Sequence, residues 1–299
     1  MLLRRCVVPF TLGTFFKHFP TSNPKTFYPC RISPKTLTTT RILNSSYLEA
    51  LSPRQKDQVH LYVDTLLEWN QKMNLTAVTE MDEVIERHIE DSLAIIPPIR
   101  NSYLSHCSSS FDKLNLVDVG SGPGLPGLIL AIACPGWEVT LMESMNKRCV
   151  FLDHVIDRIS LTNVRVKRGR AEVLGQSLCF REQFDVAVAR AVAEMRILAE
   201  YCLPLVRVGG LFVAAKGHEP QEEVKNAERA IKMMGASLLQ LCSVESHSPH
   251  GQRTAIVCLK AHATPKKYPR DPEALFDTPL SPVEHNVELF IYRLGSERG

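Results

Sequence analysis

The 299-residue chain has no apolar run approaching the ~18 residues of a membrane-spanning helix, so no such helix is expected. It has no C-x-x-C pair either. Its nine cysteines stand singly at 6, 30, 107, 134, 149, 179, 202, 242 and 258, which argues against a zinc site, and no metal is expected. Several lie in apolar runs, where a free thiol packs as a small hydrophobe, and the natural setting is a reducing compartment. Asp and Glu are absent from residues 1–48, although Arg4, Arg5, Lys17, Lys25, Arg31, Lys35 and Arg41 lie there among many Ser and Thr. That composition is expected of an organellar transit peptide, ending near residue 45 and disordered. The alternative is a basic arm that grips RNA.

Without those seven residues the chain carries 28 Lys and Arg against 32 Asp and Glu, moving the formal charge from +3 to −4. The remainder is mildly acidic, so contact with nucleic acid must come from a local basic patch. An apolar fraction of 44% and a charged fraction of 22% are ordinary for a globular protein with ample core.

Ser52-Pro53-Arg54-Gln55 has the form of a capping box, and Val59, Val63, Leu66, Leu67 and Trp69 then recur near helical spacing to about Lys72. A second helix is expected from Met81 to Ile95, stopped by Pro97-Pro98. Residues 46–100 thus form a helical layer, joined by a polar linker, 101–113, to the main domain at 114–262. A basic, partly disordered tail occupies 263–299. Within the main domain, apolar strands near 114–119, 138–142, 163–167, 184–189 and 209–215 alternate with helical stretches, which argues a parallel sheet covered on both faces. Two further strands, 236–244 and 253–260, are joined without a helix and should pair antiparallel. The expected fold is α/β: a Rossmann-like seven-stranded sheet with a terminal antiparallel hairpin, the pattern of a class I S-adenosylmethionine-dependent methyltransferase.

The first strand runs into Gly120-Ser121-Gly122-Pro123-Gly124-Leu125-Pro126-Gly127, and an apolar helix follows. The free N–H groups of this turn are expected to face a polar or anionic ligand. Gly122, Gly124 and Gly127 fit G-x-G-x-x-G, and Glu143 lies about 20 residues on, so a dehydrogenase is one reading. Asp118 inside the strand and the prolines at 123 and 126, which remove donors a pyrophosphate would want, favour S-adenosylmethionine. Glu143, ending the second strand, is placed to accept both ribose hydroxyls; a solvated strand-end acid is the plain alternative. Ala171 and Glu172, past the third strand, lie where an adenine edge would rest.

Arg190 ends the fourth strand, where its guanidinium would hold the cofactor carboxylate or an RNA phosphate, unless it serves a structural ion pair. Lys216 ends the fifth and is a weaker candidate for that rim. His88, Asp91 and Ser92 share one helical face at i, i+3 and i+4. Lys147 and Arg148 form one basic cluster. Lys260, His262, Lys266, Lys267 and Arg270 form another, a mobile strap for RNA in which Tyr268 is available to stack on a base. An exposed solvated face is the alternative for each.

Several spaced motifs resemble the RsmG (GidB) family of small-subunit rRNA guanine-N7 methyltransferases. They are Trp69-Asn70-x-x-Met73-Asn74-Leu75-Thr76, Arg87-His88-Ile89-x-Asp91-Ser92, Asp118 through Gly127, Glu143-Ser-x-x-Lys147-Arg148, Ala189-Arg190-Ala191 and Thr264 through Arg270. The resemblance spans about 61–270, and Asp271-Pro272-Glu273 departs from its basic C-terminal pattern. It implies that Gly120, Leu125, Ala171, Glu172 and Arg190 contact S-adenosylmethionine; the positional reading adds Gly122, Gly124 and Glu143. It also implies a small-subunit rRNA substrate, naked or within an assembling subunit. Guanine N7 has an accessible lone pair, so the chemistry needs no general base. The chain is expected to be a monomer in the chloroplast stroma, with the mitochondrial matrix as the other organelle. A small-molecule methyltransferase and a non-enzymatic RNA-binding or assembly factor remain the alternatives.

Overall fold

A computed structural model describes residues 46–107, 110–190, 193–217, 219–244 and 253–271, all within one compact unit. The expected leader and the tail beyond 271 lie outside the described residues. Helix α1 (Ser46–Glu49) precedes α2 (Pro53–Asn70). The Ser52–Gln55 capping box closes α2, and Gln55 Nε2 also donates to the carbonyls of Ile132 (2.6 Å) and Ala133 (3.2 Å). One side chain thus caps the start of α2 and satisfies the end of a helix from the main domain. At the other end Asn70 Oδ1 accepts from the N–H groups of Leu75 and Thr76, and its Nδ2 donates to Thr76 O. Asn70 therefore closes the loop at residues 71–76 that follows α2.

The expected helix from Met81 to Ile95 is not one α-helix. It comprises α3 (Met81–Val84), a π-helical turn (Ile85–Glu90) and α4 (Asp91–Leu93). Pro97 and Pro98 do not stop it; they begin α5 (Ile96–His106), which takes up half of the expected linker. Proline lacks only an N–H that the first turn leaves unpaired, so it opens a helix as readily as it ends one.

Then come β1 (Asn115–Val119), α6 (Gly127–Ala133), β2 (Glu138–Glu143), α7 (Asn146–Arg158), β3 (Val164–Arg168) and α8 (Ala171–Leu174). They are followed by β4 (Phe184–Arg190), α9 (Met195–Cys202), β5 (Val206–Lys216), α10 (Gln221–Met233), β6 (Ala236–Val244) and β7 (Arg253–Lys260). Seven strands form one sheet in the order β3-β2-β1-β4-β5-β7-β6, parallel except for β7, which lies antiparallel to both β5 and β6. The expected class I methyltransferase sheet and terminal hairpin are present.

Alternate residues of β1, β4 and β5 point to opposite faces. Leu116, Val186, Val188, Leu211 and Val213 join a core with α6, α7 and the helical layer, while Val117, Ala187, Ala189, Phe212 and Ala214 join one with α9 and α10. Chain order reverses between β1 and β4, and a parallel sheet opens its ligand crevice at such a switch point, beyond the carboxyl ends of the strands. No described helix is long and apolar enough to cross a membrane.

Candidate cofactor crevice and adjoining cleft

The turn after β1 takes positive φ at Gly120 (73°), Gly122 (57°) and Gly124 (96°), a region that side chains rarely adopt. Its N–H groups are not free. Gly120 and Ser121 donate to Met142 O, Gly122 to Glu143 Oε2, Gly124 and Leu125 to Ser121 O, and Gly127 to Asp118 Oδ2. Residues 123 and 126 are prolines and have none. The expectation of free donors is therefore corrected: every N–H from 120 to 127 has an acceptor within the protein. Two buried carboxylates, Asp118 (1% exposed) and Glu143 (3%), back the turn. Burial pushes the Asp118 carboxyl up to about 6 despite the Gly127 and Ser121 hydrogen bonds and the nearby Arg190 charge. Its Oδ1 is buried with no hydrogen-bond partner.

A loop of this kind is a poor host for a pyrophosphate, which would meet two carboxylates and no available backbone donor. It suits a ligand carrying positive charge. Glu143 also accepts from Met145 N–H through Oε1 (2.8 Å), and Arg148 stands 3.8 Å from its Oε2. The carboxylate is thus held in one orientation at the end of β2, with lone pairs left for hydroxyl donors. Ala171 begins the short α8, and the neighbouring Glu172 carboxylate, 6% exposed, is taken by Arg170 Nε at 2.5 Å.

Across the switch point Arg190 ends β4. Its Nη1 lies 3.5 Å from His88 O, and no carboxylate comes within ion-pair distance of it among the described residues. Burial pulls its pKa below the usual guanidinium range, partly offset by Tyr62, Asp91 and Asp118. Tyr62 of α2 is fully buried and donates to Pro123 O at 3.0 Å, linking the helical layer to the glycine turn beside Arg190.

Arg190 also borders a cleft of about 190 Å³. Arg87, His88 and Asp91 line one wall, Ala215, Lys216 and Gly217 another, and Arg253, Thr254 and Ala255 of the hairpin a third. Small-molecule pockets usually measure ~300–1,000 Å³, so this cleft has room for one flat ring system and not for a whole nucleoside cofactor. Most charges around it are already matched: Arg253 pairs with Asp91 at 2.9 Å, Lys216 with Glu223 at 2.6 Å and Arg87 with Glu83. His88 is neutral. Its Nδ1 faces Arg87 O (3.1 Å) and must carry the proton, leaving Nε2 to accept from Thr76 Oγ1 (2.8 Å). Burial, and next the Arg190 charge, hold its pKa down at about 4.

His88, Asp91, Arg190 and Lys216 therefore meet at one cleft, as their sequence positions suggested. Ser92 does not: it is buried and donates to His88 O, one turn back on its own helix, at 2.5 Å. Lys216 reaches the rim with its ammonium bound to Glu223 and Ala193 O. Lys147 is exposed and Arg148 half-buried at the start of α7.

The expected mobile strap is also corrected. Tyr268 is 3% exposed and has no face free for a base. Arg270 makes a two-pronged pair with the fully buried Glu200, Nε to Oε1 and Nη2 to Oε2, both at 2.9 Å. Arg181 donates to the carbonyls of Thr264, Pro265 and Tyr268, and Lys260 is fully buried on Leu203 O. Only Lys266 and Lys267 of the proposed RNA contacts stay exposed there, with His262 beside them. Arg87, Tyr62 and Arg253 escaped the list of candidates. The one available signal was Arg253, a charge opening a strand with an apolar centre.

A family model described as rRNA small subunit methyltransferase G (GidB) matches residues 55–253. Three similar proteins bear the name Ribosomal RNA small subunit methyltransferase G. That of Alkaliphilus oremlandii is 43% identical over 220 residues, covering 74% of this chain and 88% of its own. That of Alkaliphilus metalliredigens is 41% identical, covering 74% and 89%. That of Bacillus cytotoxicus is 39% identical, covering 75% and 90%.

Proposed function

The chain belongs to the rRNA small subunit methyltransferase G family, and on that premise we propose that it methylates N7 of a guanine in small-subunit rRNA. Membership makes it an S-adenosylmethionine-dependent rRNA methyltransferase. The choice of atom and the residue roles are our reading.

The observation that carries the cofactor assignment is the closed hydrogen-bond inventory of the glycine turn, set against Asp118 and Glu143. S-adenosylmethionine has no phosphate and carries a sulfonium and an ammonium, the charges this turn accommodates. Gly120, Gly122, Gly124 and Leu125 shape the floor, Glu143 receives the ribose hydroxyls, and the Ala171–Glu172 start of α8 borders the adenine. Arg190, a half-buried cation with no carboxylate partner among the described residues, holds the amino-acid carboxylate. When bound, the cofactor supplies a methyl group activated by positive sulfur.

The cleft beyond Arg190 receives the guanine, exposed from an rRNA loop. The lone pair of N7 attacks without prior loss of a proton, so the protein's task is alignment and exclusion of water. His88, fixed as the Nδ1–H tautomer between Arg87 O and Thr76, and Asp91, fixed by Arg253, form rigid walls for that alignment. Positive charge passes from sulfur to the base, and Asp91 is the acid lining the cleft that faces it.

Arg190→Ala is the direct test. Calorimetry should show S-adenosylmethionine affinity reduced roughly 10- to 100-fold, the ~1.5–3 kcal/mol of a hydrogen bond to a charged group. Mapping of N7-methylguanosine in small-subunit rRNA should show the mark lost. Unchanged binding and methylation would sink the role of Arg190; tight NAD binding by the unaltered protein would sink the cofactor assignment. We further propose import into the chloroplast stroma on the acid-free, basic, Ser/Thr-rich composition of residues 1–48, testable by the destination of a fluorescent fusion.

A further inference from the structure

The edge strand β3 joins the two basic clusters into one surface. Val164-Arg165-Val166-Lys167-Arg168 pairs only with β2, and its basic side chains are exposed. Arg168 Nη1 donates to Asn146 Oδ1 at 3.0 Å, which sets it beside Lys147 at the start of α7. Lys167 lies over the Phe180 ring at 5.2 Å. The next residue, Arg181, grips the carbonyls of Thr264, Pro265 and Tyr268, which brings the exposed Lys266 and Lys267 alongside. The band therefore runs from α7 over the β3 edge and the Phe180 loop to the docked strap.

The acids of this region are turned inward. Glu143 accepts two backbone N–H groups, Glu172 takes Arg170, Glu182 takes Thr264 N–H, and Glu200 takes Arg270. Asp271 is the exposed acid at the strap's far end, and Asp153 and Asp157 lie further down α7. Charged side chains on an edge strand also discourage pairing with another sheet. That need does not extend to α7 or the strap, which have no edge to protect.

We infer that this band is where the rRNA backbone lies, with phosphates along β3 and the target base reaching across the crevice to the cleft at Arg190. The inference rests on the proposed function for its substrate. In the sheet order β3 and β4 stand three strand spacings apart, about 14 Å at ~4.8 Å each. A stacked strand rising ~3.4 Å per nucleotide covers that in about four nucleotides. The phosphates on the band therefore belong to nucleotides close to the target, and the strap acts as a fixed rail.

The test compares two triple variants of the full chain, Lys147→Gln/Lys167→Gln/Lys266→Gln on the band and Lys225→Gln/Arg229→Gln/Lys232→Gln on exposed positions of α10. Binding to small-subunit rRNA is measured as a function of salt, and S-adenosylmethionine affinity is measured in parallel. Each lost phosphate contact lowers the slope of log affinity against log salt by ~0.7, so the band triple should lose roughly 2. Its affinity deficit, small at 1 M salt, should open to roughly 100-fold at 0.1 M, with cofactor affinity unchanged. Equal slopes for the two triples would overturn the band, because loss would then follow net charge alone. Methyl transfer by the unaltered protein reports separately on the proposed function: its failure would remove that reading while the slopes still decide the surface.

Discussion

Arg190 at the crevice and Arg270 in the strap differ in sequence setting, one ending an apolar strand and the other closing a basic run, yet each is a candidate for holding a ligand. Their surroundings divide them. Arg270 is matched fork to fork with a fully buried carboxylate on α9, while Arg190 is half-buried and, among the described residues, meets a carbonyl at 3.5 Å and no carboxylate. A cation already paired with a buried carboxylate contributes to the fold, and a half-buried one left without an anion is held ready for a ligand that brings one. The same division separates Lys260 and Tyr268, absorbed into the strap's packing, from Lys266 and Lys267, which remain outside it.

The largest effect expected from that contrast is on stability. Arg270→Leu leaves Glu200 buried beside apolar neighbours with one backbone N–H, and breaking such a pair from one side costs about 3–5 kcal/mol. Denaturant unfolding should show that loss; a change under about 0.5 kcal/mol would mean the strap is loosely held after all. Arg190→Ala should do the opposite, leaving the unfolding midpoint unchanged or raised while cofactor affinity falls, since it removes a partly desolvated charge with no carboxylate at ion-pair distance among the described residues. A large loss of stability from Arg190→Ala would erase the distinction.

The crevice itself holds a second opposition, visible in pH. His88 has a folded pKa of about 4, below its unfolded 6.5, so the unfolded chain binds more protons between these values. Its contribution is fully present above about 6.5 and is lost as pH falls toward 4. Asp118, raised to about 6 from 3.8, works the other way: the folded chain binds more protons, and stability from this group falls as pH rises from about 4 to 6. Subtracting the wild-type curve isolates each group. His88→Gln should gain relative stability as pH falls from 6.5 to 4, and Asp118→Asn should gain as pH rises over 4 to 6. Parallel curves would show that neither environment perturbs its group.

What the sequence made legible were features that local pattern determines. Periodicity placed all seven strands within a few residues, and the Ser52 capping box and the 236–244/253–260 hairpin matched closely. Strand ends placed Arg190 at the rim and helix spacing grouped His88 with Asp91; the cleft where they meet is formed by tertiary packing. Hidden from it were matters settled by partners far along the chain. Glu200 lies 70 residues from Arg270, and Arg181 lies 83 from Thr264, so nothing near the strap announced that it would be pinned. The glycine turn looked rich in free donors because Gly120, Ser121 and Gly122 find their acceptors, Met142 O and Glu143, on the neighbouring strand, and the rest fold back on Ser121 O and Asp118. The π-helical turn over Ile85–Glu90 has no marker in the sequence, and neither has the choice of Ser92 to bond its own helix.

The smallest effect concerns how the helical layer is tied to the crevice. Tyr62 sat unmarked between the apolar positions Val59 and Val63 of α2, yet its hydroxyl reaches Pro123 O in the glycine turn at 3.0 Å. Tyr62→Phe keeps the ring and its packing and deletes one buried hydrogen bond, leaving the Pro123 carbonyl without that donor. The expected cost is about 1–2 kcal/mol of stability. Because the carbonyl belongs to the turn that shapes the cofactor floor, a few-fold loss of S-adenosylmethionine affinity should accompany it. A pure stability loss with cofactor affinity intact would mean that α2 buttresses the domain without setting the turn. The crevice would then take its shape from Glu143 and Asp118 alone, and the helical layer's part in function would be confined to the cleft wall formed by Arg87, His88 and Asp91.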